Sequence, residues 1–210
     1  MFHVKHSPPN TTVVSRETQA KLQIYADLVT RWNPAINLFS RTDIQALWSR
    51  HIADALQLLP LLPPQPSHAI DLGSGGGIPG IVLAIATGAQ FHLIEADTRK
   101  CAFLREVARE TGAAVIVHNM RIEAATLASA PLITARALAP LPKLLALVEP
   151  FLASDTIFIA PKGETALTEL TAARKEWHMR VECVQSATHP AALILKMSEV
   201  RRVGSKPQLF

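Results

Sequence analysis

No run of apolar residues in this 210-residue chain reaches the roughly 18 that a membrane-crossing helix needs. The stretch that comes nearest, Ala55 to Pro64, is interrupted by Gln57, Pro60, Pro63 and Pro64. The opening MFHVKHSPPN holds no apolar signal core, so the expected location is cytoplasmic and no membrane partner is expected. Cysteine is scarce too. Cys101 and Cys183 are too far apart for a C-x-x-C pair or a metal knot, so neither a disulfide framework nor a metal site is expected. Both read as reduced, partly buried thiols. There is no internal repeat. Charge of either sign is modest: the formal net charge is +4, which permits a polyanionic partner without requiring one.

What is present falls into two parts. Residues 1–14 carry Pro8 and Pro9 without periodicity and read as a loose arm. Ser15 then stands as a helix N-cap, with Glu17 in the first turn. Leu22, Tyr25, Val29 and Trp32 recur at helical spacing, and Asn33-Pro34 is expected to stop that helix. A second helix is predicted from Asp43 to Leu59, with Ile44, Leu47, Trp48, Ile52 and Ala55 inward. Residues 15–66 thus form a helical cap, closed by a proline-rich joint at 60–68.

From 67 to 200 short apolar runs alternate with helical patterns. Strands are predicted at 68–72, 90–95, 114–118, 132–136 and 156–160. Helices are predicted near 79–87, 98–110, 122–128, 141–152 and 164–177. That alternation specifies a parallel sheet covered on both faces. Two further strand-like runs, 180–186 and 192–197, are separated by a turn too short for a parallel crossover, so they pair antiparallel. Residues 201–210 read as a flexible basic tail.

The densest motif is His68-Ala-Ile-Asp-Leu-Gly-Ser-Gly-Gly-Gly-Ile-Pro-Gly80, with five glycines within eight positions after a buried strand. Glycines at 73, 75 and 77 allow tight turning and close backbone approach to a ligand, and Pro79 suits the first turn of a helix. Glu95 closes the second strand 22 positions after Gly73, where a carboxylate accepts hydrogen bonds from a ribose. Gly75 to Gly80 also matches the dinucleotide pattern G-x-G-x-x-G, which leaves a nicotinamide-dependent oxidoreductase in view. The longer string, opened by Asp71, resembles the D-x-G-x-G-x-G loop of methyltransferases more closely. Together with the closing antiparallel hairpin it points to an α/β class I S-adenosylmethionine-dependent methyltransferase, Rossmann-like, with S-adenosyl-L-methionine as cofactor.

After the fourth strand, Thr134-Ala-Arg-Ala-Leu-Ala-Pro140 lacks the Asp/Asn-Pro-Pro-aromatic sequence of enzymes that methylate exocyclic amines. Arg136 is a permanent cation and a poor base. A sequence without acid–base apparatus suits guanine N7, which presents a lone pair and no proton and requires mainly positioning. Here the chain resembles the GidB (RsmG) family of bacterial 16S ribosomal RNA guanine-N7 methyltransferases. The resemblance runs over about residues 15–200. It is carried by Trp32-Asn-Pro-Ala-Ile-Asn-Leu38, Arg50-His-Ile-Ala-Asp54, Asp71 to Gly80, Arg121-Ile-Glu123, Ala135-Arg-Ala137 and Pro161-Lys-Gly163. Ala135 stands where the family often has serine.

The cofactor-binding residues expected from the loop and the resemblance together are Asp71, Gly73, Gly75, Gly77, Ile78, Glu95, Ile122, Glu123 and Arg136. The resemblance also implies a guanine acceptor in the decoding-region loop of 16S ribosomal RNA, free or within the small subunit or a precursor. Arg136 and Lys162 are the expected positioning residues at the reacting centre, and Arg99, Lys100, Arg121 and Lys162 the expected RNA contacts. Arg50 and Asp54 have the spacing of an i,i+4 ion pair, and His51 reads as a packing residue. Nothing demands more than a monomer. An RNA-binding assembly factor that has lost the chemistry is the non-enzymatic alternative, against which the intact glycine loop stands.

Overall fold

The computed structural model describes residues 4–5 and 14–204. The cap opens with α1 (Arg16–Ile36), whose N-cap Ser15 accepts the Thr18 N–H. Pro34 does not stop the helix where the sequence predicts. The helix runs through it to Ile36 and ends at Asn37, left-handed at φ 50°, which donates its N–H to the Asn33 carbonyl. The single helix predicted over 43–59 is three pieces: α2 (Arg41–Gln45), a π-helical turn (Leu47–Ile52) and α3 (Ala53–Leu56). Leu47 and Ile52 are both buried. Five residues apart on an α-helix they would lie about 140° apart; i→i+5 bonding brings them toward one face. The same turn carries Trp48, predicted inward, out to 38% exposure.

The sheet consists of β1 (Val4–Lys5), β2 (Ala69–Leu72), β3 (Phe91–Glu95), β4 (Val115–Asn119), β5 (Leu132–Ala135), β6 (Ile157–Lys162), β7 (Trp177–Gln185) and β8 (Leu193–Arg202). Their spatial order is β1-β7-β8-β6-β5-β2-β3-β4. β2, β3, β4, β5 and β6 are parallel, and β8 alone among the described strands runs antiparallel between β6 and β7. The predicted closing hairpin is therefore present, with longer strands than the sequence suggested. Two of its consequences revise the ends. Val4–Lys5 of the expected loose arm pairs with β7, and Arg201 and Arg202 of the expected tail pair with His178 and Trp177. Residues 1–3, 6–13 and 205–210 of those two segments lie outside the described residues.

The helices α4 (Gly80–Thr87) and α5 (Thr98–Thr111) cover one face of the sheet, and α6 (Leu141–Val148) and α7 (Ala166–Ala173) the other. The cap belongs to the first face. Leu22, Tyr25 and Val29 of α1 share one core with Ile81, Leu83, Phe103 and Leu104, and Trp32 meets Phe103 edge-on at 5.9 Å. Two predicted helices shrink. The one over 164–177 is α7 alone, because Trp177 is already the first residue of β7. The one over 122–128 is a single 3-10 turn, Ile122–Ala124. Its alanine-rich sequence has helix propensity but little large apolar surface, and short helices depend on packing for stability.

Candidate active site

The sheet reverses its order between β5 and β2, and the crevice of an open α/β sheet lies outside the carboxyl ends of the strands at such a point. The chain fills that point with the 73–79 loop. Gly73 and Ser74 both donate backbone N–H groups to the Ile94 carbonyl, at 2.9 and 3.1 Å, and Gly77 donates to the Ser74 carbonyl at 2.7 Å. Gly75 has φ 55°, and a Cβ added there would meet nothing nearer than the Gly73 carbonyl at 3.7 Å. The backbone is bare toward open space at this residue, as close approach to a ligand requires. A Cβ at Gly77 would instead fall 2.8 Å from Ile81. That glycine serves the packing of the loop on its helix.

Two carboxylates flank the loop and differ in kind. Glu95 is half-buried at the tip of β3. Its Oε2 accepts the Gly75 N–H and its Oε1 the Asp97 N–H, each at 2.8 Å. A carboxylate has about four acceptor positions, so this one fixes the loop and retains capacity for hydroxyl donors. Asp71 lies beneath the loop, 1% exposed, with Oδ1 accepting the Thr134 hydroxyl at 2.6 Å. Burial pushes its pKa up to about 6. Its side chain does not border the crevice, so its place is structural support between β2 and β5.

The cap closes the crevice from above. Tyr25, fully buried, donates its hydroxyl to the Gly76 carbonyl at 2.7 Å. The Asn33 amide grips the backbone of Phe39 at both ends, accepting its N–H at 2.7 Å and donating to its carbonyl at 3.0 Å. The Phe39 ring covers Gly76, where an added Cβ would come within 2.5 Å of it. The Trp32-to-Leu38 motif thus has a local explanation: Asn33 and the left-handed Asn37 set Phe39 as a cover over the glycine loop.

Beside the loop runs a chain of charged groups. Arg136, just past β5, places Nε 3.1 Å from Asp54 Oδ2 and Nη2 2.8 Å from His51 Nδ1. A guanidinium only donates, so His51 Nδ1 accepts and its proton sits on Nε2, 3.3 Å from Asp43 Oδ1. Burial, and then the Arg136 cation, hold the His51 pKa below its ordinary value. Asp54 Oδ1 also accepts from Gln57 and Thr188, at 2.7 and 2.8 Å. The i,i+4 pairing of Arg50 with Asp54 does not form, because Arg136 takes Asp54. Arg50 stands 4.0 Å from Asp43 instead.

Two cavities open here, of about 590 and 560 Å³. Both are within the size range of small-ligand sites. The first is lined by Gly73, Gly75, Ile78, Glu95, Lys100, Arg121, Ile122, Glu123 and Arg136 from the sequence prediction, and also by Leu38, Phe39 and His51, to which it gave no ligand contact. Asp71, Gly77 and Arg99 do not line it; Arg99 lies 3.3 Å from Asp97 at the surface. The second cavity is lined by Arg50, Asp54, Lys162, Glu169, Thr188 and His189 among others. Lys162, predicted as an RNA contact, has its ammonium 2.9 Å from Glu169 and donates to the Ala139 carbonyl. Arg136, Ala137, Leu138 and Ala139 line both cavities. One stretch of chain, with Ala137 left-handed at φ 52°, is a wall common to both.

A family model described as rRNA small subunit methyltransferase G matches residues 18–193. The chain is 52% identical to the Ribosomal RNA small subunit methyltransferase G of Granulibacter bethesdensis, over 97% of this chain and the whole of that protein. It is 52% identical to the protein of the same name from Gluconobacter oxydans, over 91% of this chain and 99% of that one. Among solved structures, a ribosomal protein L11 methylase from Lactobacillus delbrueckii subsp. bulgaricus superposes with a TM-score of 0.60 at 17% identity, covering 77% of this chain and 80% of that one. That likeness is one of fold.

Proposed function

Because this chain belongs to the GidB family of small-subunit ribosomal RNA methyltransferases, we propose that its two cavities divide the two partners of a methyl transfer to N7 of a guanine in 16S ribosomal RNA. The carrying observation is the shared wall: a donor held on the glycine loop and an acceptor held in the second cavity meet at Arg136–Ala139. S-adenosylmethionine supplies a methyl group activated on a sulfonium. The first cavity suits it: Gly75 leaves the backbone bare, Glu95 has capacity for ribose hydroxyls, and Ile78 and Ile122 offer apolar walls. Arg136 and Lys162 act as positioning residues at the wall, each held by a carboxylate.

Neither cation is a general base, and N7 of guanine needs none. The chain's work is to align two partners and exclude water, from which most of the acceleration in such a reaction is available. The overlapping G-x-G-x-x-G does not sustain the oxidoreductase reading beside this family membership. Lys100 and Arg121, on the rim of the first cavity, are the predicted cations placed to reach an incoming RNA. No helix among the described residues is long and apolar enough to cross a membrane. A cytoplasmic monomer acting on the small subunit or a precursor particle completes the reading. Primer extension after reduction and strand cleavage tests it on small-subunit RNA incubated with enzyme and cofactor. A new stop at one guanine is expected; RNA indistinguishable from the untreated control would refute the assignment.

A further inference from the structure

The second cavity has an uneven charge inventory. Two carboxylates line it, and each is answered by a cation: Asp54 by Arg136 at 3.1 Å and Glu169 by Lys162 at 2.9 Å. These pairs are also enclosed. The side chains of Arg136 and Asp54 are 21% and 13% exposed, and those of Lys162 and Glu169 10% and 19%. Arg50 is the remaining cation of the lining. Its side chain is 56% exposed, and the nearest carboxylate oxygen, on Asp43, is 4.0 Å away, beyond hydrogen-bond reach. His189, also in the lining, stands by the Ala191 N–H, 3.3 Å from its Nδ1. Among the described cations of this cavity, Arg50 is the most exposed and the most loosely held.

We propose that Arg50 holds a phosphate of the acceptor RNA at the mouth of the second cavity and so sets the target guanine against the wall. This rests on the methyl-transfer reading above. Three arguments select a phosphate over the base. A guanidinium fork laid on guanine O6 and N7, its usual contact, would occupy the lone pair that must attack. Methylation of N7 also leaves the guanine ring with a positive charge, which an uncompensated cation beside it would oppose. The two cations at the wall satisfy that condition because each is held by a carboxylate at about 3 Å, whereas Arg50 has only its long 4.0 Å contact with Asp43. Finally, every RNA acceptor carries phosphates, and arginine is the side chain suited to them. The aim of Arg50 comes from the π-helical turn: Arg50 faces the second cavity while its neighbour His51 faces the first.

The test is the salt dependence of equilibrium binding to unmethylated small ribosomal subunits, with methylation of the same subunits followed separately. Loss of one phosphate contact should lower the slope of log K against log salt by about 0.7 to 0.9. Arg50→Ala is expected to show that drop and a KM for subunits raised about tenfold, the low end for losing a hydrogen bond to a charged group, with S-adenosylmethionine affinity unchanged by calorimetry. Arg50→Lys, which keeps a point charge, should recover most of the slope. Lys175→Ala, an exposed cation beyond the far end of α7, should keep the slope of the parent. An Arg50→Ala slope and KM equal to the parent's overturn the proposal, as does a parallel loss of cofactor affinity, which would mean that Arg50 only supports the fold. A parent protein that binds subunits but transfers no methyl sinks the functional reading and leaves the slope comparison intact.

Discussion

The two cavities are built from different materials. The first is made mainly of backbone: a loop of glycines pinned by N–H groups to Ile94 and Glu95, with a few side chains laid over it. The second is made of side-chain charges held in pairs, drawn from the cap, the 136–140 segment, the end of β6, α7 and the β7–β8 turn. Backbone sites are contiguous in the chain and tolerate one kind of residue at each point. Paired-charge sites are scattered and depend on partners arriving from elsewhere. The comparison predicts that damage to the first is all-or-none and local, while damage to the second spreads into stability.

Gly75→Asp should have the largest effect. A charged side chain pointing into the open face of the loop is expected to weaken S-adenosylmethionine binding by about 1,000-fold or more in titration calorimetry, with the unfolding midpoint within a few degrees of the parent. If Gly75→Asp binds cofactor normally, the backbone character of that cavity is wrong.

Asp71→Asn addresses the support beneath the glycine loop. The folded pKa of Asp71, about 6, lies above its unfolded value of 3.8. The folded state therefore holds an extra proton between those values, and this stabilisation is complete below pH 4 and lost as pH rises through about 6. Asparagine lacks that dependence. By urea titration the parent should lose roughly 2 kcal/mol of stability relative to the mutant from pH 4 to pH 7, and the difference should then stay level. The histidines cancel in this difference. A pH-independent difference would mean that Asp71 remains ionised in its buried place.

Asp54→Ala separates the two cavities. It leaves Arg136 without its carboxylate and takes from Gln57 and Thr188 their shared acceptor, leaving them Ser186, so a loss of roughly 2 kcal/mol is expected, below the range for fully buried pairs because both side chains retain some exposure. Methylation should collapse while cofactor affinity falls less than tenfold. Equal losses of both would show that the wall is one site rather than two. Asn33→Ala is the mildest case. Releasing Phe39 should cost about 1 kcal/mol and about fivefold in cofactor affinity, a factor close to that energy, with little effect on RNA binding.

The same contrast explains what could be read from the amino-acid sequence. The strand–glycine loop–helix unit, Glu95 at the end of β3 and the antiparallel hairpin are local patterns, and periodicity and turn chemistry specify them. The second cavity was only partly legible. Lys162 was placed near the site, but its commitment to Glu169 depends on the fold bringing α7 over β6. The Arg50–Asp54 spacing suggested a helical ion pair, yet Arg136, distant in sequence, holds Asp54. The π-helical turn defeated the regular helical pattern, and Trp48 came out exposed for that reason. Asn33 carried a signal, as part of the Trp32-to-Leu38 motif of the family resemblance, though its bond to Phe39 needs the three-dimensional path of the cap.

Arg136 belongs to both cavities and is joined rigidly to His51 on one side and Asp54 on the other. A group that borders two ligands and cannot adjust to one alone ties their affinities together. By thermodynamic reciprocity, whatever factor the bound cofactor applies to the affinity for RNA, bound RNA must apply to the cofactor. The segment shared by the cavities would thereby also be a line of communication. On the proposed division of the cavities, the order in which the two substrates assemble, and the ease with which the spent cofactor leaves once the guanine has taken up positive charge, would both depend on the same few atoms of Arg136.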